Sequence, residues 1–179
     1  MTNVIVCMAI ALQAVDPDQA AFRAFDAAVA RYIALQEKIR SEVPGLTPTS
    51  SAKELNDASD RLAAAIRRAR PRAKEGDFFD SEAARVIRQR ITDELRSPRS
   101  TVAIESIDDE STPKIRPTVH LRFPEALELA TMPASILRLL PALPDELEYR
   151  IVGEYLVLRD VGAGLIIDFI PGAVPRKKP

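Results

Sequence analysis

The fold of this chain is decided by one stretch near its C-terminal end, LEYRIVGEYLVLRDVGAGLIIDFI, residues 147–170. Its first part alternates the apolar residues Leu147, Tyr149 and Ile151 with charged neighbours, which is the period of a strand that buries one face. Two glycine-containing turns, at Gly153-Glu154 and 161–164, divide the rest into further strands over 155–159 and 165–170. The pattern predicts a three-stranded antiparallel meander, and a sheet this small needs other elements packed on it.

Helices upstream of the meander can supply that cover. The first is predicted over Pro17–Glu42, with Asp16 as its N-cap and Gln19 completing a capping box. Pro44-Gly45 ends it. Its buried positions recur three and four residues apart and form one stripe: Phe22, Phe25, Val29, Tyr32, Gln36, Ile39 and Val43.

Two shorter helices follow the first. The second opens with a capping box at Ser51 and Glu54, and Pro71 ends it. The short connection 44–50 predicts that it forms an antiparallel hairpin with the first helix. The third is predicted over 81–95, with Asp80 as its cap. The predicted buried stripes are Leu55, Ala58, Leu62, Ala65, Ile66 and Ala69 on the second helix and Ala84, Ile87, Ile91 and Leu95 on the third.

The remaining segments connect the helices to the meander. Residues 97–112 are polar and predict a loop, and the prolines between 113 and 124 favour extended backbone with an edge strand over 118–123. A short helix is predicted over 134–140. The sequence therefore predicts an α+β fold, with residues 15–99 helical and residues 100–175 completing the same compact domain, followed by a basic tail over 176–179.

The N-terminal residues 1–14, MTNVIVCMAIALQA, predict a secretory signal peptide, because a short apolar run ends at a small residue directly before a polar helix start. A signal usually begins with lysine or arginine, which this segment lacks, so a buried strand over residues 4–6 is the alternative. The run is shorter than the about 20 apolar residues that span a bilayer. Export predicts a periplasmic or secreted protein whose mature chain lacks Cys7 and contains no disulfide.

Several phrases of the mature chain are shared with a known group. They are RPRAKEGDFF at 70–79, LPALPDELEYRIVG at 140–153, LVLRD at 156–160, LIID at 165–168 and AVP at 173–175. Together they resemble an uncharacterised family of small exported bacterial proteins with N-terminal helices and a C-terminal meander. The resemblance covers most of the mature chain and implies export and a shared fold. The family has no assigned activity or ligand, so the resemblance implies no functional residue.

Composition excludes several classes of function. The formal net charge is −1, and no basic domain with a reading helix is evident, so nucleic acid is not an expected partner. His120 is the single histidine, which excludes a histidine dyad and a zinc site within one chain; it is predicted at the surface of the edge strand. No phosphate-binding glycine loop or dinucleotide motif occurs, and no cofactor is predicted.

Three groups of charged residues are candidate sites. Glu75, Asp77, Asp80 and Glu82 could offer oxygen ligands to calcium, although their order does not match a calcium loop and helix capping is the preferred interpretation. The run Arg67, Arg68, Arg70, Arg72 and Lys74 could bind an anionic envelope polymer, or could be a solvated helix end. Asp168, in an apolar strand, is predicted by alternation to share a face with Ile166 and Ile170 and to pair with Arg159 or Arg150.

These observations leave three hypotheses of function. The leading one is a non-enzymatic exported protein that binds an envelope protein or an anionic polymer, or has a structural role, because no catalytic set is found. The second is a hydrolase that uses carboxylates such as Asp77, Asp80 or Asp168. The third is a helix-mediated homodimer, in which the stripe on the first helix forms the interface and Gln36 is its polar position.

Overall fold

The structure is a computed structural model, and it describes residues 17–42, 51–97, 115–124 and 132–175. Several predicted features lie outside these ranges: the N-terminal segment 1–14, the cap at Asp16, Val43, residues 98–112 of the polar loop and the basic tail. Within the described residues, helices come first and a sheet comes last, which confirms the α+β class.

In the described part of the chain, four helices precede the sheet: α1 Pro17–Glu42, α2 Ala52–Ala69, α3 Ser81–Arg96 and α4 Ala134–Leu137. The predicted capping box of α2 is present, since the Ser51 hydroxyl accepts from the Glu54 amide and the Glu54 carboxylate accepts from the Ser51 amide. Asp80 caps α3 by accepting from the amides of Glu82 and Ala83. These bonds satisfy amides that have no partner inside a helix.

The sheet is the predicted meander of three antiparallel strands in the order β1-β2-β3, with β1 Leu147–Val152, β2 Tyr155–Asp160 and β3 Leu165–Ile170. The pairing of β1 with β2 is uninterrupted. Between β2 and β3 the register shifts, because Leu158 lies opposite Asp168 while Arg159 lies opposite Ile166. Ile167 is therefore the extra residue of a β-bulge.

One face of the sheet packs against the helices and forms the main core. Phe25, Phe79 and Tyr149 bring their ring centroids within 5.3–6.5 Å of one another and join α1, the loop before α3 and β1. The core on this inner face also contains buried apolar side chains from α2, α3, α4, β2 and β3: Ile66, Ile87, Ile91, Ile136, Leu156, Leu158, Ile167 and Ile170. Apolar burial of this kind is the main source of folding free energy.

The other, outer face of the sheet is covered by residues 115–124, here called the covering segment. Its Phe123 is buried in a second apolar cluster with Val157 and Ile166. Three backbone hydrogen bonds attach it to β3 or the preceding turn: His120 N to Ile166 O, Ile166 N to Leu121 O and Phe123 N to Gly164 O, at 2.8–2.9 Å. The predicted edge strand over 118–123 is reduced to one bridge, between Arg122 and Leu165, because a turn closed by Leu121 N and Thr118 O interrupts it.

Two details of the predicted helices are wrong. The helix α4 ends at Leu137 instead of residue 140. Leu55 and Ala69, both placed by periodicity in the buried stripe of α2, are exposed, Leu55 at 48%, whereas Leu62, Ala63 and Ile66 are the buried residues of that helix. Only the C-terminal half of α2 therefore packs into the core, and its first turn extends into solvent.

The stripe on α1 is used within the chain itself. Its six described members are all buried: Phe22, Phe25, Val29, Tyr32, Gln36 and Ile39. A homodimer through this stripe would have to remove α1 from its own core, so this fold offers a second copy no access to it. The homodimer itself stays a prediction.

Candidate functional site

The predicted anion-binding patch is located at the end of α2 and in the loop that follows it, and its members have different environments. Arg68, Arg72 and Lys74 are exposed. Arg67 lies at the surface but donates from Nε and Nη2 to the carbonyl oxygen of His120, at 3.2 and 3.0 Å. The patch therefore combines three solvent-facing cations with an arginine that anchors the covering segment.

Arg70, the fifth member of the patch, is built into the fold. Its guanidinium lies over the rings of Tyr32 and Phe78, at 5.3 and 5.1 Å from their centroids, and its Nη2 donates to Asp77 at 3.3 Å. Aromatic faces attract a guanidinium electrostatically. Its Nη1 is buried and has no hydrogen-bond partner among the described residues. Arg70 thus holds the loop after α2 against α1 instead of presenting its charge to solvent.

Two shallow clefts lie beside these residues. One, of about 330 Å³, is lined by Ala28, Arg31, Tyr32, Leu35, Arg70, Asp77 and Phe78. The other, of about 400 Å³, is lined by Ile39, Glu42, Ala65, Arg68 and Ala69. Each lining contains arginine and a single carboxylate, so neither cleft offers the pair of adjacent carboxylates that the hydrolase hypothesis requires.

Asp168 is a fully buried carboxylate that accepts four backbone amide hydrogens. Its Oδ1 accepts from Gly76 and Phe169 at 2.9 and 2.8 Å, and its Oδ2 accepts from Phe78 and Phe79 at 2.7 and 2.9 Å. Burial raises the pKa of the Asp168 carboxyl, and the four amide hydrogen bonds oppose that rise. The side chain fixes the loop before α3 onto the sheet, and its acceptor sites are occupied by that task.

The orientation of Asp168 departs from strict alternation. The sequence predicted that it shares a face with Ile166 and Ile170, but only Ile170 lies on its side of the sheet. The bulge at Ile167 reverses the alternation, so Asp168 lies opposite Leu158 on the inner face. From there it reaches the loop that packs against the helices.

The predicted ion pair of Asp168 with Arg159 or Arg150 is wrong for the same reason. Both arginines belong to the outer face, where each donates to Glu148 at 2.9 Å. The Arg159 guanidinium also lies over the ring of Phe123, at 4.8 Å from its centroid. The outer face therefore has its own charged network, separated from Asp168 by the sheet.

A second buried carboxylate, Asp160 at the end of β2, was missed in the sequence. Its Oδ2 accepts from the Tyr32 hydroxyl at 2.6 Å and from Gln36 Nε2 at 2.5 Å, and its Oδ1 accepts from Ala163 N at 2.7 Å. Burial, reinforced by the charge of Asp160, raises the pKa of Tyr32 and keeps its hydroxyl protonated as a donor. The available signal was the pair Tyr32 and Gln36, four residues apart in an apolar stripe, because buried donors need an acceptor.

The acidic residues around the start of α3 are Glu75, Asp77, Asp80 and Glu82, and the last three have separate partners. Asp80 caps α3, as the sequence predicted. Glu82 forms an ion pair with Arg85 at 2.6 Å on the surface, and Asp77 forms one with Arg70. Among the described residues, no group of three or more histidine, cysteine or acidic side chains is arranged to hold a metal ion. The cluster contributes to capping and loop closure.

His120 is half-buried at the turn of the covering segment instead of standing free at the surface. Its φ of 70° lies in the left-handed region. Burial, followed by the charges of Arg70 and Arg67, lowers the pKa of its imidazole. His120 therefore lies on the outer side of the sheet, whereas the buried carboxylates Asp160 and Asp168 lie on the inner side.

Comparison with models of protein families, with curated proteins and with solved structures found no match to this chain. Of the helices in the described ranges, none combines the length and the apolar character needed to cross a bilayer.

Proposed function

We propose that this chain is an exported, non-enzymatic protein of the bacterial envelope that binds an anionic polymer such as lipopolysaccharide. The observation that carries the proposal is the exposure of Arg68, Arg72 and Lys74 around the end of α2. Three cations on one short stretch favour contact with a polyanion, because each basic residue near a charged surface contributes about 1 kcal/mol.

The state of the carboxylates supports binding over hydrolysis. A general acid or base must be able to reach a substrate or a water molecule. Asp168 has four amide donors, Asp80 caps α3, and Asp77 accepts from Arg70 and from the Lys74 amide. The three carboxylates named for a hydrolase are thus all hydrogen-bonded to backbone amides, and of the three only Asp77 is exposed.

Export rests on the apolar segment 1–14 and on the resemblance to exported bacterial proteins. The test is to express the full-length chain with a C-terminal tag in a Gram-negative host, to separate cytosol from periplasm, and to sequence the N-terminus of the recovered protein. We expect periplasmic protein that begins near residue 15, because the break at Ala14 suits a signal cleavage site. An intact Met1 in the cytosol would refute export.

Polymer binding is tested separately by surface plasmon resonance on immobilised lipopolysaccharide at low salt. We expect the triple variant Arg68→Gln, Arg72→Gln, Lys74→Gln to bind at least about tenfold more weakly than the unmodified chain. The matched control replaces three exposed cations elsewhere: Arg23→Gln, Lys38→Gln and Arg61→Gln. An equal loss of affinity in both triple variants would show that binding depends on net charge and not on this patch, which would contradict the proposal. Absence of binding by the unmodified chain would also refute it.

A further inference from the structure

The backbone of His120 is held by hydrogen bonds, but its ring atom Nε2 is not. Its positive φ is uncommon for residues other than glycine, although asparagine, aspartate and histidine adopt it more readily than most. Two contacts hold it there: its amide donates to Ile166 O at 2.8 Å, and its carbonyl oxygen accepts from Arg67. Its ring atom Nε2 is buried without a hydrogen-bond partner among the described residues. The ring is thus half-buried, with its Nε2 turned away from solvent and bonded to no described group.

The charges around this imidazole oppose a proton on it. Arg67 of α2 and Arg70 at the end of α2 disfavour a positive ring, while Asp77 of the following loop favours one. Of the two other charged side chains on the covering segment, Arg116 is exposed and Arg122 is paired with Asp60 of α2. A protonated ring would face two guanidinium groups against one carboxylate, and its Nε2 proton would be buried without an acceptor among the described residues.

The attachment of the covering segment depends on the same residue. The bond from His120 N to Ile166 O is one of the three that join the segment to the β3 region, and Phe123 is the side chain that closes the outer apolar cluster. We propose that protonation of His120 releases the covering segment from β3 and exposes the outer face of the meander, so that the fold contains an acid-sensitive cover.

The direction of the effect follows from the lowered pKa of His120 in the closed state. Above the ordinary histidine value of about 6.5, the imidazole is neutral in both the closed and the released segment, and the closed state keeps its full stability. As the pH falls below that value, the released segment takes up the proton first, so the closed state loses stability through the pKa of the enclosed ring. Release uncovers Val157, Ile166 and Phe169, which are apolar.

The experiment uses NMR on the isotopically labelled full chain, in which His120 gives the only histidine ring signal. The ring titration and the hydrogen-exchange protection factors of the His120, Phe123 and Ile166 amides are measured from about pH 7.5 to about pH 5, a range that spans the ordinary histidine value. We expect a ring pKa below the ordinary value and a several-fold loss of protection at acid pH. Amides of the β1–β2 ladder should keep theirs.

The variant His120→Asn separates this device from general acid sensitivity. Asparagine tolerates a positive φ and does not titrate, so its covering segment should keep the same protection at both ends of the pH range. The proposal is overturned if this variant loses protection with the same midpoint as the unmodified chain. It is also overturned, without any variant, if the ring of His120 titrates at or above the ordinary value or if protection does not change with pH.

Discussion

The inner and outer faces of the meander both contain buried charge, but they neutralise it differently. On the inner face, Asp160 and Asp168 accept hydrogen bonds from a tyrosine hydroxyl, a glutamine amide and backbone amides. On the outer face, Glu148 binds Arg150 and Arg159 as ion pairs whose side chains keep 9–26% of their surface exposed. On the inner face each carboxylate is surrounded by uncharged hydrogen-bond donors. On the outer face the carboxylate is neutralised by arginines that remain partly exposed to solvent.

This difference indicates which buried charges determine how the helices pack on the sheet. A carboxylate enclosed without a counter-ion is tolerated only if every acceptor site is filled, because its desolvation is costly. Asp168 meets that condition solely when the loop 76–79 is in place, and Asp160 does so solely when α1 presents Tyr32 and Gln36 in register. The inner carboxylates therefore define how the helices sit on the sheet, whereas the outer ion pairs can rearrange in water.

The largest expected effect comes from Asp168→Asn. The amide group of asparagine replaces one acceptor oxygen and faces two backbone amides that then lose their partner, so we expect the free energy of unfolding to fall by about 3 kcal/mol. Urea denaturation monitored by circular dichroism measures it. The control is Asp93→Asn on the exposed side of α3, which should change stability by less than about 0.5 kcal/mol. Equal effects at the two positions would contradict a special role for the inner face.

A smaller loss is expected from Asp160→Asn, because one acceptor oxygen is replaced and at most two of three donors lose their partner. We expect about 2 kcal/mol, measured by the same denaturation. Tyr32→Phe, which removes one of those donors, completes a double-mutant cycle with it. The two changes should be clearly non-additive; additive losses would mean that the hydroxyl and the carboxylate do not stabilise each other.

The smallest effect is expected on the outer face, from Glu148→Gln. Half-buried ion pairs of this kind contribute about 1 kcal/mol or less, and added salt weakens them. The loss should shrink further in 0.5 M NaCl, roughly as screening predicts, while the effect of Asp168→Asn should not change. The exposed Glu37→Gln is the matched control. A salt-independent loss as large as that of Asp168→Asn would remove the distinction between the two faces.

Local sequence signals predicted the elements well, because their causes lie within a few residues. The capping box at Ser51, the cap at Asp80 and the proline after α2 all act on neighbouring backbone. Gly153 and Gly164 in the predicted turns have φ of 58° and 60°, a region that glycine adopts at little cost. The errors arose where distant parts meet: Leu55 is periodic yet exposed, since none of the described elements covers the first turn of α2.

The candidate sites were predicted less well for the same reason. Arg70 belongs to a run of cations in the sequence, but Tyr32 of α1 and Phe78 of the loop turn it into a packed residue. Asp160 follows an apolar strand without any local mark of its role. Its two side-chain partners lie 124 and 128 residues away along the chain, and no short-range pattern encodes such a distance.

By itself the sequence determined that this chain has three long helices and a meander, because hydrophobic period, caps and turn residues act locally. Only the tertiary structure decided which way Asp168 points. Strict alternation counted from Leu165 directs it away from the helices, and the bulge at Ile167 reverses that direction so that its carboxylate meets four amides. The bulge depends on how β3 pairs with β2 and on what covers each face, and those are properties of the assembled fold.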